Sequence, residues 1–483
     1  MVNILSSAIY QLKKRAKGKL DISGHHSSLV ISDNTKRKNV LLTVLFVILL
    51  AVAGAIRWWA APISSGPDVP QFLAFARVFQ LHGLNFYQYA DATLNVFPFK
   101  HWEYVYPPIW LLILRLCLFA SPQSQASADA VDVTWRMAEK TPIILSDLII
   151  GCLIYWAIPG SKTRKLVFAT IWLFHPTVWY NSAVFGQFDA LAAVFLIASL
   201  VVLLKFRSNS GLILLLAGIA LAIKQHAFIA ISGILTAGYR YFKDNIVRNF
   251  LFLLLPFAIV SIPFILDGNL IPYLKSVFLP AQPVGYQDPL VYAFSGTGSL
   301  LTYLHDTYGW ETINLLKFTT IATILVLAGV LVACYFRRVN PLQAALASFL
   351  VFAVFFYRIN YQYLVIYIAM AILVAATTRF KGERMMALLL ALLPAVWLWL
   401  FDVTFWFTYL QPANPWVIRY FEVIGMAELS APFLYVGLAV TLMCLSIGYI
   451  ALVLTRWNAI KENSNQLLGE TASDDKTSLL TTS

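Results

Sequence analysis

Asp68 lies in Ser64-Ser65-Gly66-Pro67-Asp68-Val69-Pro70, just ahead of a stretch, Gln71–Leu84, whose apolar residues (Phe72, Phe75, Ala76, Phe79, Gly83) recur at helical spacing. Gly66 and Pro67 punctuate the chain, and Pro70 suits the first turn of a helix. Asp68 is therefore placed to cap that helix. A carboxylate held rigidly at a helix start is also placed to act as a general base, and the two roles are compatible.

Four further clusters contain residues able to do chemistry. Tyr104-Val105-Tyr106-Pro107-Pro108 reads as an interfacial aromatic anchor or as the rigid wall of a lipid or sugar groove. Phe185-Gly186-Gln187-Phe188-Asp189 follows His175-Pro176 and Asn181, and its acid opens the next apolar run, where the helix dipole favours negative charge. Lys224-Gln225-His226 sits between two short apolar runs; a snorkelling lysine is one reading, and a cation with an imidazole for a phosphate headgroup is the other. Tyr357-Arg358-Ile359-Asn360-Tyr361-Gln362-Tyr363 packs an arginine, two amides and three aromatics into one turn. Arginine binds phosphate through two parallel hydrogen bonds, and amides with aromatics suit sugars and headgroups.

The elements that must position these clusters are membrane helices. Hydrophobic residues make up 60% of the 483, charged residues only 12%, and the mean hydropathy is +0.73, whereas soluble domains carry about 25% charged residues. The apolar residues come in blocks of about 17–22, the length that crosses a bilayer as a helix. Residues 1–39 form a basic arm, expected on the cytoplasmic side, before an uncleaved first span at 40–56. Further spans are expected near 141–158, 166–183, 188–204, 211–224, 227–239, 249–266, 314–335, 341–357, 361–378, 385–401 and 432–454, about twelve in all. The fold class is thus an all-α polytopic membrane protein, with a transmembrane domain over 40–457 and a polar, disordered tail over 458–483.

One apolar run, Ile109–Ala120, is too short to span and is interrupted by Arg115, so it is read as re-entrant or interfacial. Setting it aside puts the basic loops (Lys162/Arg164/Lys165, Lys205/Arg207, Arg240/Lys243/Arg248, Arg337/Arg338, Arg379/Lys381/Arg384, Arg456/Lys461) on one side with the arm. Large outer loops at 57–140, 267–313 and 402–431 then face the other side, together with all five clusters. If the run crossed, every later loop would invert. The net charge of +12 follows from this topology and is not a nucleic-acid signal. Cys117, Cys152, Cys334 and Cys444 lie in apolar stretches without CxxC spacing, so neither a metal site nor a disulfide framework is expected.

In this order and on this one side, the motifs resemble the GT-C membrane glycosyltransferases. The sequence is most similar to the polyprenyl-phosphate-mannose-dependent mannosyltransferases, including the first mannosyltransferase of glycolipid-anchor synthesis. The likeness runs over roughly residues 40–380 and rests on the early Asp68, His82-Gly83-Leu84-Asn85-Phe86-Tyr87, Tyr106-Pro107-Pro108, Gly186-Gln187-Phe188-Asp189, Ile223-Lys224-Gln225-His226 and Asn360-Tyr361-Gln362-Tyr363. It implies inverting transfer of a hexose, with mannose the default, from a polyprenyl- or dolichyl-phosphate sugar to a lipid-linked or glycan acceptor on the extracytoplasmic or lumenal face. By this carry-over Asp68 is the base. Lys224, His226 and Arg358 stabilise the leaving phosphate, a role that the growth of negative charge on the leaving oxygen also requires. Gln187 and Asp189 orient sugar or acceptor hydroxyls, and Tyr106, Gln225, Asn360, Gln362 and Tyr363 complete the sugar and acceptor contacts. Pro70 stands where several relatives carry a second acid two positions after the first, which favours a metal-free mechanism without a cofactor. A bacterial or archaeal cell membrane is expected over the endoplasmic reticulum.

Two other classes remain open. A transporter would show symmetry between halves and short outer loops, and no such repeat is visible. A lipid-linked oligosaccharide polymerase or ligase would carry arginines and histidine in a late loop in place of an early aspartate.

Overall fold

The computed structural model describes residues 33–66, 68–90, 103–121, 131–206, 209–278, 296–357, 359–401 and 432–456. The expected tail, the 402–431 loop, Pro67 and Arg358 lie outside them. The chain divides into two units, Met1–Leu45 and Phe46–Ser483, and all that follows on packing concerns the second.

The described residues form helices and no strand. In chain order the principal helices are α1 (Asp33–Ala60), α2 (Asp68–His82), α3 (Pro108–Ala120), α4 (Val133–Ala157), α5 (Lys162–Leu173), α6 (Asp189–Lys205), α7 (Ser210–Ile223) and α8 (Ala227–Phe242). They continue with α9 (Ile246–Phe264), α10 (Leu270–Phe278), α11 (Gly296–Tyr308), α12 (Leu316–Phe336), α13 (Pro341–Phe355), α14 (Tyr361–Thr377), α15 (Lys381–Phe401) and α16 (Pro432–Thr455). The expected spans fall on helices, except that the one at 166–183 is broken: α5 stops at Leu173, His175-Pro176 interrupts it, and a short helix, Pro176–Trp179, and a π-helical segment, Tyr180–Phe185, follow. Four stretches, Arg37–Ile63, Ala227–Asp267, Phe318–Phe336 and Pro432–Thr455, are long and apolar enough to cross a membrane. The chain is an integral membrane protein by that measure.

Starts and stops follow side-chain chemistry. Asp132 caps α4 by accepting from the Trp135 amide at 2.8 Å, and Asn340 caps α13 by accepting from the Leu342 amide at 3.0 Å. Asp189 opens α6 and Lys205 closes it, each at the end its charge prefers. Helix α6 packs on α4, α7 and α14, α7 on α9, α8 on α13, and α14 on α15. Helices α6, α13 and α14 are apolar on all sides and form the buried centre. Helices α9 and α12 expose Phe250, Leu251, Ile321 and Leu325, a surface suited to lipid.

Two expected boundaries shift. Helix α1 begins at Asp33, inside the expected 1–39 arm. Helix α4 begins at Val133, eight residues before position 141, because Arg136, Glu139 and Lys140 read as loop in a hydropathy pattern yet are carried on helical turns. The described residues of the 57–140 segment are therefore largely helical, with α2, α3 and the start of α4 among them. At 13 residues, α3 is about 20 Å long, short of the roughly 30 Å hydrocarbon core.

Candidate active site

Asp68 is the first residue of α2. The chain reaches it through Gly66, where a Cβ would lie 2.1 Å from the Phe185 carbonyl oxygen. Only glycine lets the two backbones meet there. The contact joins the start of α2 to the Gly-Gln-Phe-Asp turn, and across the joint the Gln187 side-chain amide donates to the Asp68 carboxylate. Asp68 thus heads its helix as expected, and its carboxylate also faces a second element.

The turn is built by a π-helical segment, Tyr180–Phe185, that ends at Gly186 in left-handed backbone (φ 78°). A side chain at 186 would be strained by that backbone and would meet Val69 Cγ2 at 2.6 Å. The Gln187 amide then closes the turn on the Asn181 carbonyl at 2.9 Å. Asp189, fully buried, follows at the head of α6.

Asp189 is paired with Lys224 and stands beside His226. Its Oδ2 accepts from Lys224 Nζ at 2.6 Å, and its Oδ1 stands 3.5 Å from His226 Nε2. Lys224 ends α7 in extended backbone, so its side chain leaves the helix axis. Three rings surround its ammonium: Phe188 with its centroid at 4.5 Å, Tyr106 at 5.3 Å and Tyr363 at 5.4 Å. Such a cage favours the cation electrostatically while excluding water. Tyr106 meets Phe188 edge to face at 4.8 Å, and Trp110 stacks on the opposite side at 4.5 Å. The His226 ring lies edge-on to Tyr363 at 5.0 Å. Burial first, and the Lys224 charge second, push the His226 imidazole well below its ordinary value, so it is neutral at pH 7 and offers a hydrogen bond, not a charge.

The structure therefore brings together Asp68 with Gln187, and Asp189 with Lys224, His226, Tyr106 and Tyr363. Gln225 is turned to a structural task, donating to the Val105 carbonyl at 2.7 Å and so fixing the segment that carries Tyr106. Asn360 precedes α14 without capping it through its side chain, and Gln362 is buried in its first turn. Through its backbone carbonyl Asn360 accepts from the Tyr363 amide at 3.1 Å.

Several residues of the site's framework are illegible from motifs. Phe188, at the centre of the cage, reads as one more apolar residue. Lys140 donates to the carbonyls of Ala61, Ser64 and Val184 at 3.1, 2.8 and 3.0 Å, fastening the end of α1 to the π-helical turn. Glu139 beside it is fully buried, and neither carboxyl oxygen has a hydrogen-bond partner. Its Oε2 lies 3.1 Å from where a Gly186 Cβ would be, against the same turn that holds Gln187. Deeper, Arg57 and Asp147 form a buried pair at 3.2 Å, with Arg57 also donating to the Leu173 carbonyl at 2.8 Å. The only advance signal for these groups is charge inside apolar sequence. Among the described residues, no three His, Cys, Asp or Glu side chains gather as a metal site would require.

Fold and site together define an integral membrane protein, helical among its described residues, with a carboxylate–lysine cluster at one set of helix ends. No family model matches the sequence, and no curated protein sequence does. Among solved structures, the chain is similar to the crystal structure of ArnT from Cupriavidus metallidurans bound to undecaprenyl phosphate, with a TM-score of 0.45 and 14% identity, covering 86% of this chain and 78% of that one.

Proposed function

We propose that this protein is an inverting glycosyltransferase of the GT-C type that moves a hexose, mannose by the sequence resemblance, from a polyprenyl-phosphate sugar to a lipid-linked or glycan acceptor. The observation that carries the reading is the juxtaposition, through one turn, of a carboxylate and a caged cation. Asp68 is held by Gln187, and two residues further on Asp189 holds Lys224 among three rings.

In the reaction the acceptor hydroxyl oxygen attacks the anomeric carbon on the face opposite the phosphate. The bond from that carbon to the phosphate oxygen breaks, and the configuration inverts. Asp68 takes the hydroxyl proton, and the sugar leaves behind a polyprenyl phosphate with one more negative charge. Lys224 meets that charge in a site where the rings keep the dielectric low, so its attraction is strong. Asp189 fixes the ammonium in place, and His226, neutral, donates to a phosphate oxygen. Arg358, expected beside them, supplies a second cation. Tyr106 and Tyr363 supply faces for the sugar or the first isoprene units. Neither base nor cation requires a metal or a cofactor. We place the reaction on the membrane side opposite the basic loops, in a bacterial or archaeal cell membrane.

Purified protein incubated with a panel of radiolabelled polyprenyl-phosphate sugars tests the reading. Transfer to an endogenous lipid acceptor from one of them is expected. Transfer only from a nucleotide sugar would overturn it.

A further inference from the structure

At the helix ends remote from Asp189 and Lys224 the bundle forms an open concavity of about 220 Å³, between the ends of α6, α8, α12 and α16 and the start of α13. Leu203 is 14 residues along α6 from Asp189 and Arg240 is 14 along α8 from His226, so the cavity lies about 20 Å from the carboxylate–lysine cluster. Its lining has two parts. Leu200, Leu203 and Val453 make an apolar wall, and three exposed arginines, Arg240, Arg337 and Arg338, line the same space. No acidic residue lines it. The carboxylate adjoining it, Glu383, accepts from Gln343 at 2.5 Å and from Thr378 at 2.6 Å.

Basic loops are expected at this face for topological reasons alone, but that rule asks only for charge and not for convergence. Here the arginines are individually placed. Arg337 donates to the Leu454 carbonyl at 2.7 Å, and Arg240 donates to the Tyr241 hydroxyl at 2.8 Å. Arg338 has left-handed backbone, φ 49°, the one non-glycine residue described with positive φ. It occupies the position after α12 where a helix ordinarily ends on glycine. An arginine kept in a conformation that glycine adopts freely points to a task for its side chain. Three like charges in one concavity repel one another, and a phosphate accepting paired hydrogen bonds relieves that repulsion. The apolar wall beside them suits the glycerol and first methylenes of a lipid. The volume is below the about 300–1,000 Å³ of drug-sized sites, which fits a headgroup with its chains outside.

We propose that this cavity binds the phosphate headgroup of an anionic membrane phospholipid on the face opposite the carboxylate–lysine cluster. The site is independent of the transferase reading, since its readout is binding.

The test uses the full-length protein in nanodiscs of phosphatidylcholine containing a minor fraction of phosphatidylglycerol, followed by native mass spectrometry of the lipid retained. Phosphatidylglycerol should be retained over phosphatidylcholine, and each of Arg240→Gln, Arg337→Gln and Arg338→Gln should weaken retention about five-fold. Lys162→Gln, Lys165→Gln and Lys381→Gln together, a control on basic residues outside the cavity, should leave it unchanged. Arg338→Gly removes the cation while relieving the backbone, so it should fold at least as stably as the native chain and still lose retention. Equal retention of the two lipids, equal loss in the lysine control, or full retention by Arg338→Gly would overturn the proposal. So would displacement of the lipid by millimolar inorganic phosphate, which would make the ligand free phosphate.

Discussion

His226 and Asp68 show how position in the fold, not residue type, decides chemical role. From sequence, Lys224 and His226 read as a cation with an imidazole for a phosphate, with the charge of the imidazole left open. In the structure burial, and then the neighbouring Lys224 charge, lower the His226 pKa and keep its imidazole neutral. A histidine whose folded-state pKa is depressed binds its proton more readily when unfolded. Stability is therefore full above the unfolded value, about 6.5, and falls as pH drops below it toward the lowered folded value. Thermal unfolding in detergent should show native protein losing stability between about pH 6.5 and 5, at no more than about 1.4 kcal/mol per pH unit from this group. His226→Gln should flatten that slope. An unchanged slope would mean that the imidazole is not held neutral. Of the expected site residues, Asp68, Gln187, Asp189, Lys224, His226, Tyr106 and Tyr363 meet in space, and they were legible because charge and amide groups are conspicuous in apolar sequence. Phe188 was not, since a ring that cages a cation has the same one-letter signature as a ring that fills a core. Glu139 and Lys140 were not, since charges at the edge of an apolar block read as loop.

At the scale of elements, the site depends on one joint between the start of α2 and the turn before α6. Two glycines make it. Gly66 lets backbone pass against the Phe185 carbonyl, and Gly186 supplies left-handed backbone beside Val69. Gly66→Ala must push the two segments apart, because the atom it meets is backbone and cannot rotate away. Displacing a base by about 1 Å costs roughly 100-fold in rate, so this variant should lose transfer by about that factor. Gly186→Ala combines positive φ with the Val69 contact and should cost about 1–3 kcal/mol in stability as well. Steady-state transfer assays beside thermal melts distinguish the two; a Gly66→Ala protein with native turnover would show that the joint does not position Asp68. The helices themselves were legible wherever periodicity and block length agreed, as at α6, α12 and α16. The start of α4 was not, because Asp132 caps it well outside the apolar block.

At the scale of the whole molecule, helix direction separates two chemistries. α6 and α8 each start at the carboxylate–lysine cluster and finish among arginines. Basic loops in the sequence imply this sidedness once residues 109–120 are set aside as non-spanning, and α3 is short enough for that. In a cysteine-free background, Gln88→Cys, exposed just after α2, and Lys243→Cys, exposed just after α8, should react with a membrane-impermeant maleimide from opposite faces of sealed vesicles. Labelling of both from one face would invert the assignment of the outer loops. The central claim, that Asp68 and Lys224 divide base and phosphate chemistry between them, is tested most directly by measuring donor binding and turnover separately in two variants. Asp68→Asn keeps the shape and the Gln187 contact but loses the base. It should retain binding of the polyprenyl-phosphate sugar while turnover falls by at least about 100-fold, whereas Lys224→Ala should lose donor binding first. Native turnover by Asp68→Asn would contradict the account.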